Sequence, residues 1–238
     1  MIFYYVRHGD PIYDPDSLTE YGQKQASALV KRFSLYGLDE IYASDSNRAM
    51  LTAKPTCDAL KKEMTLLPWM NEGLAASRFW VKRKDGSGCW AFHDSDTVRL
   101  FNTAAIRTLG EKWHTHPDLP RQDFGAGISA VHKDVDAFFL QLGFEHIREN
   151  GTYRVIKKNE KRIALFAHQG AGMSFLSSLL DIPYPMFCTH FDMGHSGVTA
   201  IHFNEKEEYC IPKVLQLSND SHLFQEGILQ GYQNWIDI

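Results

Sequence analysis

Short apolar segments alternate with amphipathic segments along most of this 238-residue chain. Residues 2–6 (IFYYV) are β-branched or aromatic, which predicts a buried strand. Residues 17–37 carry apolar side chains at helical spacing, with Thr19 suited to the N-cap and Gly37 to the C-terminal stop. The chain is therefore predicted to begin with a strand followed by a helix.

Strands and helices continue to alternate downstream. The further predicted strands are residues 39–44, 64–68, 162–167, 197–203 and 210–218, and the further predicted helices are residues 45–63, 128–142 and 173–183. Pro55 falls inside the second helix and is expected to kink it or to mark its true start. This alternation predicts an α/β fold, a three-layer α/β/α sandwich with a mostly parallel central sheet.

Residues 73–127 interrupt the pattern. Within them, residues 79–92 are typical of a hairpin with Asp85 and Gly86 at its turn. The arms carry basic side chains between aromatic ones, so the hairpin is either solvated or part of a lid that meets an acidic substrate. We expect a single domain over residues 1–238, with residues 73–127 as an inserted lid that governs substrate choice.

Composition narrows the class of protein. With 44% hydrophobic and 23% charged residues the chain is typical of a globular protein, and its net charge of −4 gives no support to broad nucleic-acid binding. No apolar run approaches the roughly 20 residues of a membrane span, and the N-terminus lacks the pattern of a signal peptide. Four scattered cysteines without a CxxC pair favour reduced thiols. We expect a cytoplasmic protein that acts on a small molecule, without nucleic-acid or membrane partners, and the sequence leaves a homodimer open.

Polar side chains suited to anion chemistry follow several of the predicted strands. They are Arg7 and His8 after the first strand, Ser44 and Arg48 after the second, Glu72 after the third, and His168 after residues 162–167. Ligands of open α/β sheets bind at the carboxyl ends of the strands, so we expect these side chains to meet at one edge of the sheet. Ser44 is interpreted as structural support rather than as a ligand.

Two arginines, two histidines and a glutamate at one edge suit phosphoryl transfer. Arginine binds phosphate oxygens through its planar fork. A neutral imidazole such as that of His8 can attack phosphorus, and a second one at His168 can stabilise the transferred group. A carboxylic acid at Glu72 can protonate the leaving oxygen.

Four blocks of the sequence, in this order, resemble the histidine phosphatase superfamily, also called the phosphoglycerate mutase-like family. They are VRHGDP with LTEYGQKQA, then YASDSNRAMLTA, LPWMNEG and FAHQGAG. The resemblance covers the chain except residues 73–127, and it is to the phosphatase-type members. It implies the three-layer fold, a phosphohistidine on His8, and a metal-independent phosphoric monoester hydrolase without a cofactor.

The resemblance also implies a role for particular residues. The catalytic residues it implies are His8, Glu72 and His168, and the phosphate-binding residues it implies are Arg7, Arg48 and His168. Gln169, next to His168, is also predicted to bind phosphate. We therefore expect the site to bind a small phosphorylated substrate or inorganic phosphate.

Three positions depart from the family's usual pattern. Gln169 stands where a glycine usually follows the second histidine, and His195 opens a segment where many members carry an asparagine-containing turn. Asp14 lies where related enzymes place an asparagine near the phosphate, and a carboxylate there would repel the anion unless it were paired or turned away. Asp14 is therefore left out of the predicted site. His195 is predicted to have no partner ligands for a metal site.

Three other functions are open to these residues. A mutase would return the phosphoryl group to its substrate, but the chain lacks the E-S-x-W-N continuation and the arginine-rich segment that mutases share. A non-catalytic module for a phosphorylated ligand would need neither His8 nor Glu72. A zinc-dependent hydrolase would use His114 and His116, but no clear third and fourth ligands follow them.

Overall fold

The fold is described from a computed structural model, for residues 1–230. The strands are β1 (Ile2–Arg7), β2 (Pro11–Tyr13), β3 (Asp16–Leu18), β4 (Glu40–Ala43), β5 (Met64–Leu66), β6 (Trp80–Lys82), β7 (Gly88–Trp90), β8 (Phe144–Ile147), β9 (Thr152–Val155), β10 (Arg162–Ala167), β11 (Val198–His202), β12 (Tyr209–Cys210) and β13 (Lys213–Asn219). The helices are α1 (Glu20–Tyr36), α2 (Asn47–Leu60), α3 (Glu72–Phe79), α4 (Ser95–Phe101), α5 (Ala104–Leu109), α6 (Phe124–Gln141), α7 (Gln169–Leu180), α8 (Tyr184–His190) and α9 (Ser221–Gln225).

The central sheet has six strands in the order β13-β11-β1-β10-β4-β5. Strands β1, β10, β4 and β5 run parallel to one another, whereas β11 runs antiparallel to its neighbours β1 and β13. The carboxyl ends of β1, β10, β4 and β5 therefore lie side by side along one edge of the sheet.

The sheet is covered on both faces because its central strands are apolar on both sides. In β1, Phe3 and Tyr5 belong to one hydrophobic core, and Tyr4 and Val6 belong to the other. Side chains of α1 and α2 complete the second core, and side chains of α6 and α7 complete the first. The predicted three-layer α/β/α sandwich is confirmed.

Helix α1 is observed with its predicted ends, and α2 is observed within three residues of its predicted bounds. Helix α1 begins after Thr19, whose hydroxyl accepts a hydrogen bond from the Gly22 N–H, and it ends at Gly37. Helix α2 begins at Asn47 and runs through Pro55, so Pro55 does not mark its start. The prediction missed the side sheet β12-β9-β8, whose short strands expose polar residues and give no clear apolar alternation.

Residues 73–127 form helices and one hairpin that pack beside α6, α7 and α8. The predicted hairpin is observed as β6 and β7, with Trp80 opposite Trp90. Phe79 and Phe101 from this region are buried in the same core as α6 and α7, and the Phe79 ring stacks on Tyr184 with centroids 4.5 Å apart. The region is therefore anchored by its own apolar side chains, and its role as a lid stays a prediction.

A search of the helices in residues 1–230 finds none that is both long and apolar enough to cross a membrane.

Candidate active site

The predicted site residues lie at the carboxyl ends of neighbouring strands. The His8 N–H donates to the Ala167 carbonyl at 2.8 Å, which joins the ends of β1 and β10. The Ser44 N–H donates to the Phe166 carbonyl at 2.9 Å, which joins β4 to the other side of β10. The backbone thus places His8, His168 and Ser44 next to one another.

Two glycines let the loop after β1 pass close to helix α1. A methyl group at Gly9 would lie 2.7 Å from the Gly22 carbonyl oxygen, and one at Gly22 would lie 2.2 Å from the Asp10 carbonyl oxygen. Both distances are shorter than a non-bonded contact allows, so both positions require glycine. The Gly9 N–H donates to the Thr52 hydroxyl of α2 at 2.9 Å, which fixes the loop against a second helix.

His8 is buried and held in one tautomer. Its Nδ1 lies 2.7 Å from the Gly9 carbonyl oxygen, and a carbonyl can only accept, so Nδ1 carries the proton. The lone pair is then on Nε2. Burial, and then the charges of His168 and Arg7, hold the pKa of His8 well below its usual range. The imidazole is therefore neutral at pH 7, the form that a nucleophile needs.

His168 is fully buried between Ser44 and Glu72. Its Nε2 lies 2.9 Å from the Ser44 hydroxyl oxygen, and its Nδ1 lies 3.5 Å from a Glu72 carboxylate oxygen. Burial, and then Arg48 and Arg7, hold the pKa of His168 well below its usual range. The His8 and His168 rings meet edge to face, with centroids 5.2 Å apart.

Arg48 and Glu72 form an ion pair at the same edge. Arg48 donates to Glu72 at 2.8 Å and to Asp16 at 2.8 Å. The other Glu72 carboxylate oxygen accepts the Gly170 N–H, at the start of α7, at 3.1 Å. Both Glu72 oxygens thus act as acceptors, and α3 delivers this carboxylate as its first residue after the Asn71 N-cap.

Arg7 is held by the segment before β11. Its guanidinium donates to the Met193 carbonyl at 2.5 Å and to His195 Nε2 at 2.8 Å. Burial lowers the pKa of Arg7, while the Asp192 and Glu72 carboxylates raise it.

Three donors of the site have no partner within the described part of the chain. They are Arg7 Nε, Arg48 Nε and His168 Nδ1, each of them buried. An unpartnered buried donor is costly, so such groups indicate a missing acceptor. A phosphate group offers several acceptor oxygens and the negative charge that two arginines favour.

One residue of region 73–127 reaches the site directly. The Trp90 ring lies over Gly170, where an added methyl group would be 2.3 Å from two ring carbons. Trp90 therefore packs on the backbone that binds Glu72. Gln169, predicted to bind phosphate, donates its side-chain amide to Asp192, and its role toward phosphate stays a prediction.

Comparison with known proteins bears on this geometry. The model of the histidine phosphatase superfamily (branch 1) matches residues 3–76, which include Arg7, His8, Arg48 and Glu72. No curated protein matches the chain in sequence.

Solved structures match over nearly the whole chain. A phosphoserine phosphatase from Entamoeba histolytica, in complex with 3-phosphoglyceric acid, is similar with a TM-score of 0.58 and 19% identity, over 93% of this chain and 98% of that one. A mycobacterial glucosyl-3-phosphoglycerate phosphatase, in complex with VO3, is similar with a TM-score of 0.55 and 16% identity, over 91% and 98%. The alpha-ribazole phosphatase from Shigella flexneri is similar with a TM-score of 0.55 and 18% identity, over 92% and 97%.

The chain has the histidine phosphatase fold. The resemblance predicted from four sequence blocks is thereby confirmed.

Three side chains at this site of the histidine phosphatase fold are also of the kinds that bind metal ions. Among residues 1–230, His8, Glu72 and His168 form the one group of three whose nitrogen and oxygen atoms all lie within 4.8 Å of one another. Such a set suits zinc by chemistry. Arg48, however, already binds the Glu72 carboxylate, and Arg7 adds a positive charge that favours an anion over a cation here. His114 and His116 join no such group in the described residues.

Three neighbours of the site were missed or misread from the sequence. Asp14 is exposed, and Asp16 is instead the carboxylate that binds Arg48. Ser44 was interpreted as structural support, yet its hydroxyl contacts His168. His195, for which no metal-binding partners were predicted, joins no metal-type group in the described residues, but it binds Arg7 and its ring centroid lies 5.5 Å from that of His8. His195 lies in the segment between α8 and β11, and nothing in its immediate sequence indicates this contact.

Proposed function

We propose that this protein is a phosphatase that hydrolyses a small phosphorylated substrate through a covalent phosphohistidine on His8. The observation that carries the proposal is the neutral, single-tautomer His8 beside three buried donors that lack an acceptor. Three solved structures with a similar fold are named as phosphatases, which also supports the proposal.

The first step transfers the phosphoryl group to His8. The Nε2 lone pair attacks phosphorus while Arg7, Arg48 and His168 bind the phosphate oxygens. The bond from phosphorus to the leaving oxygen breaks. In the substrate complex the phosphate dianion takes the place of the Glu72 carboxylate as the anion that Arg48 binds, and Glu72, in its acid form there, gives the leaving oxygen a proton. The alcohol departs, and a phosphohistidine and a Glu72 carboxylate remain.

The second step returns the site to its starting state. The Glu72 carboxylate takes a proton from water, and the water oxygen attacks phosphorus. The bond to His8 Nε2 breaks, and inorganic phosphate leaves. Because Glu72 begins and ends each cycle as the acid, the proton balance closes without a metal or cofactor, and metal independence is part of the proposal.

Turnover of an aryl phosphate in the presence of a chelator tests the proposal. We expect the unmodified protein to remain active with chelator, and His8→Ala to lose at least about 10³-fold in kcat. His190→Ala, which changes an exposed histidine at the end of α8, is the matched control and should keep its activity. Glu72→Gln should slow alkyl phosphates more than aryl phosphates, because a poor leaving group depends more on the acid.

Wild-type rates in His8→Ala would contradict the phosphohistidine. Loss of all activity with chelator would favour a metal hydrolase. Efficient isomerisation of 3-phosphoglycerate, given a trace of the bisphosphate, would favour a mutase instead.

A further inference from the structure

Arg7 is hydrogen-bonded to His195, a side chain that can itself gain a proton. An arginine only donates hydrogen bonds, so His195 Nε2, 2.8 Å from the Arg7 guanidinium, must accept. The His195 proton then sits on Nδ1, which lies 3.4 Å from an Asp10 carboxylate oxygen. The three side chains form a row in which Arg7 donates to His195 and His195 faces Asp10.

Asp10 and His195 are each fixed by further contacts. The Thr19 hydroxyl donates to the other Asp10 carboxylate oxygen at 2.7 Å, and the Asp10 N–H donates to Gln25 at 2.8 Å. Gln230 donates to the His195 carbonyl at 2.8 Å. The row therefore ties the end of β1 to the start of α1, and His195 has little freedom to leave it.

A neutral acceptor has one property that a carboxylate lacks. It orients the guanidinium without adding a negative charge, so this contact does not offset the attraction of Arg7 for an anion. Protonation of His195 would remove the acceptor and place a second cation against Arg7.

We propose that His195 is a positioning residue that holds Arg7 for phosphate binding only while its imidazole is neutral, so that phosphate affinity falls as His195 is protonated. This inference rests on the proposed function, because it assigns His195 to the same phosphate site. It adds a pH-dependent element to that site.

The charged groups that face His195 are consistent with this behaviour. Burial, and then Arg7, lower the pKa of His195 to about 4, while Asp10 and Asp192 act in the opposite direction. His8 faces the ring from the other side. His195 is therefore neutral at pH 7, and its protonation belongs to the acid range.

The test measures the affinity of inorganic phosphate between pH 6 and pH 4, where phosphate stays a monoanion. We compare the unmodified protein with His195→Asn and His195→Ala by titration calorimetry. Asparagine can accept from Arg7 through its side-chain oxygen but does not titrate. His195→Ala should bind phosphate at least about tenfold more weakly at pH 6, the cost of a hydrogen bond to a charged group.

The phosphate affinity of His195→Asn at pH 6 should stay within about threefold of that of the unmodified protein, because a threefold change corresponds to less free energy than the loss of one hydrogen bond. This variant should also lose less affinity than the unmodified protein as the pH falls to 4. Both proteins keep His8 and His168, so the difference between their pH curves isolates His195. Thermal unfolding of each variant checks that it is folded.

Each outcome is decisive. If the unmodified protein binds phosphate and all three pH curves coincide, the role of His195 is overturned while the proposed function stands. If the unmodified protein binds no phosphate at pH 6, the phosphate site itself is wrong. If His195→Asn binds as weakly as His195→Ala, acceptance from Arg7 is not what His195 provides.

Discussion

At the scale of single residues, the Ser44 hydroxyl determines what His168 presents to the site. Ser44 is fully buried, and its oxygen already accepts the Ser46 N–H at 3.3 Å. Its proton has two acceptors within reach, Ser46 Oγ at 3.3 Å and His168 Nε2 at 2.9 Å. Donation to the nearer Nε2 leaves the proton of His168 on Nδ1, toward the Glu72 carboxylate. The other tautomer would set a lone pair against a carboxylate, so the first is favoured. Ser44 thus leaves His168 with a proton on Nδ1, the proton that the proposed mechanism donates to phosphate.

Ser44→Ala tests this assignment. We expect kcat to fall by about 10-fold to 100-fold, because Nε2 loses its partner and the proton no longer stays on Nδ1. Ser174→Ala is the matched control, since Ser174 is also buried and hydrogen-bonded but donates to the Ala171 carbonyl within α7. Steady-state kinetics and urea unfolding of both variants separate the two effects. Equal losses of kcat in both would show that Ser44 only stabilises the fold.

At the scale of elements, the hairpin of β6 and β7 contacts the site through one aromatic ring. Trp90 packs on Gly170, and the Gly170 N–H binds Glu72. A side chain at position 170 would therefore push the hairpin away from the start of α7. The Gly170 backbone thus links the hairpin to the candidate acid.

Gly170→Ala and Trp90→Ala, alone and together, measure this link. We expect Gly170→Ala to lower the free energy of unfolding by about 1–3 kcal/mol through overpacking, and to lower kcat/KM. In the double variant the added methyl group has room, so its cost should be smaller than in the single variant, with a coupling of at least about 0.5 kcal/mol. Additive effects on unfolding would mean that the two residues do not touch in solution.

The elements that carry the site could be predicted, and the contacts between their loops could not. β1 and β10 are short apolar runs buried on both faces, so the pattern itself indicates parallel neighbours whose ends carry His8 and His168. The place of Asp16 depends on the β2–β3 turn, and that of His195 depends on which strand β11 pairs with. Such distances are set by tertiary packing, which no local spacing encodes.

At the scale of the whole molecule, buried histidines couple folding to pH. Burial lowers the pKa of His132, His195 and His222 to about 4 in each case, and it holds the pKa of His8 and His168 well below the usual range. In the unfolded chain these groups titrate near 6.5. Between about pH 6.5 and pH 4 the unfolded state therefore binds more protons than the folded state, and stability falls as the pH falls.

His146 acts in the opposite sense. Burial lowers its pKa, but hydrogen bonds to Asp136 at 2.9 Å and Asp181 at 2.6 Å outweigh this and leave the pKa raised. Its contribution to stability is complete below the unfolded pKa and is lost as the pH rises through the folded pKa. His146 thus offsets part of the acid destabilisation caused by the other histidines.

Urea unfolding at pH 7, 6 and 5 checks the balance of these effects. We expect the free energy of unfolding to fall by roughly 2 kcal/mol or more from pH 7 to pH 5, because several histidines have a lowered pKa and only His146 among those discussed has a raised one. His132→Gln and His222→Gln remove two histidines that have a lowered pKa and lie outside the proposed catalytic residues. The double variant should therefore lose less stability between pH 7 and pH 5 than the unmodified protein. His146→Gln should lose more, since it removes the group that binds its proton in the folded state. A flat pH profile for the unmodified protein, or the reverse order of the two variants, would show that these histidines stay accessible to protons in the folded molecule.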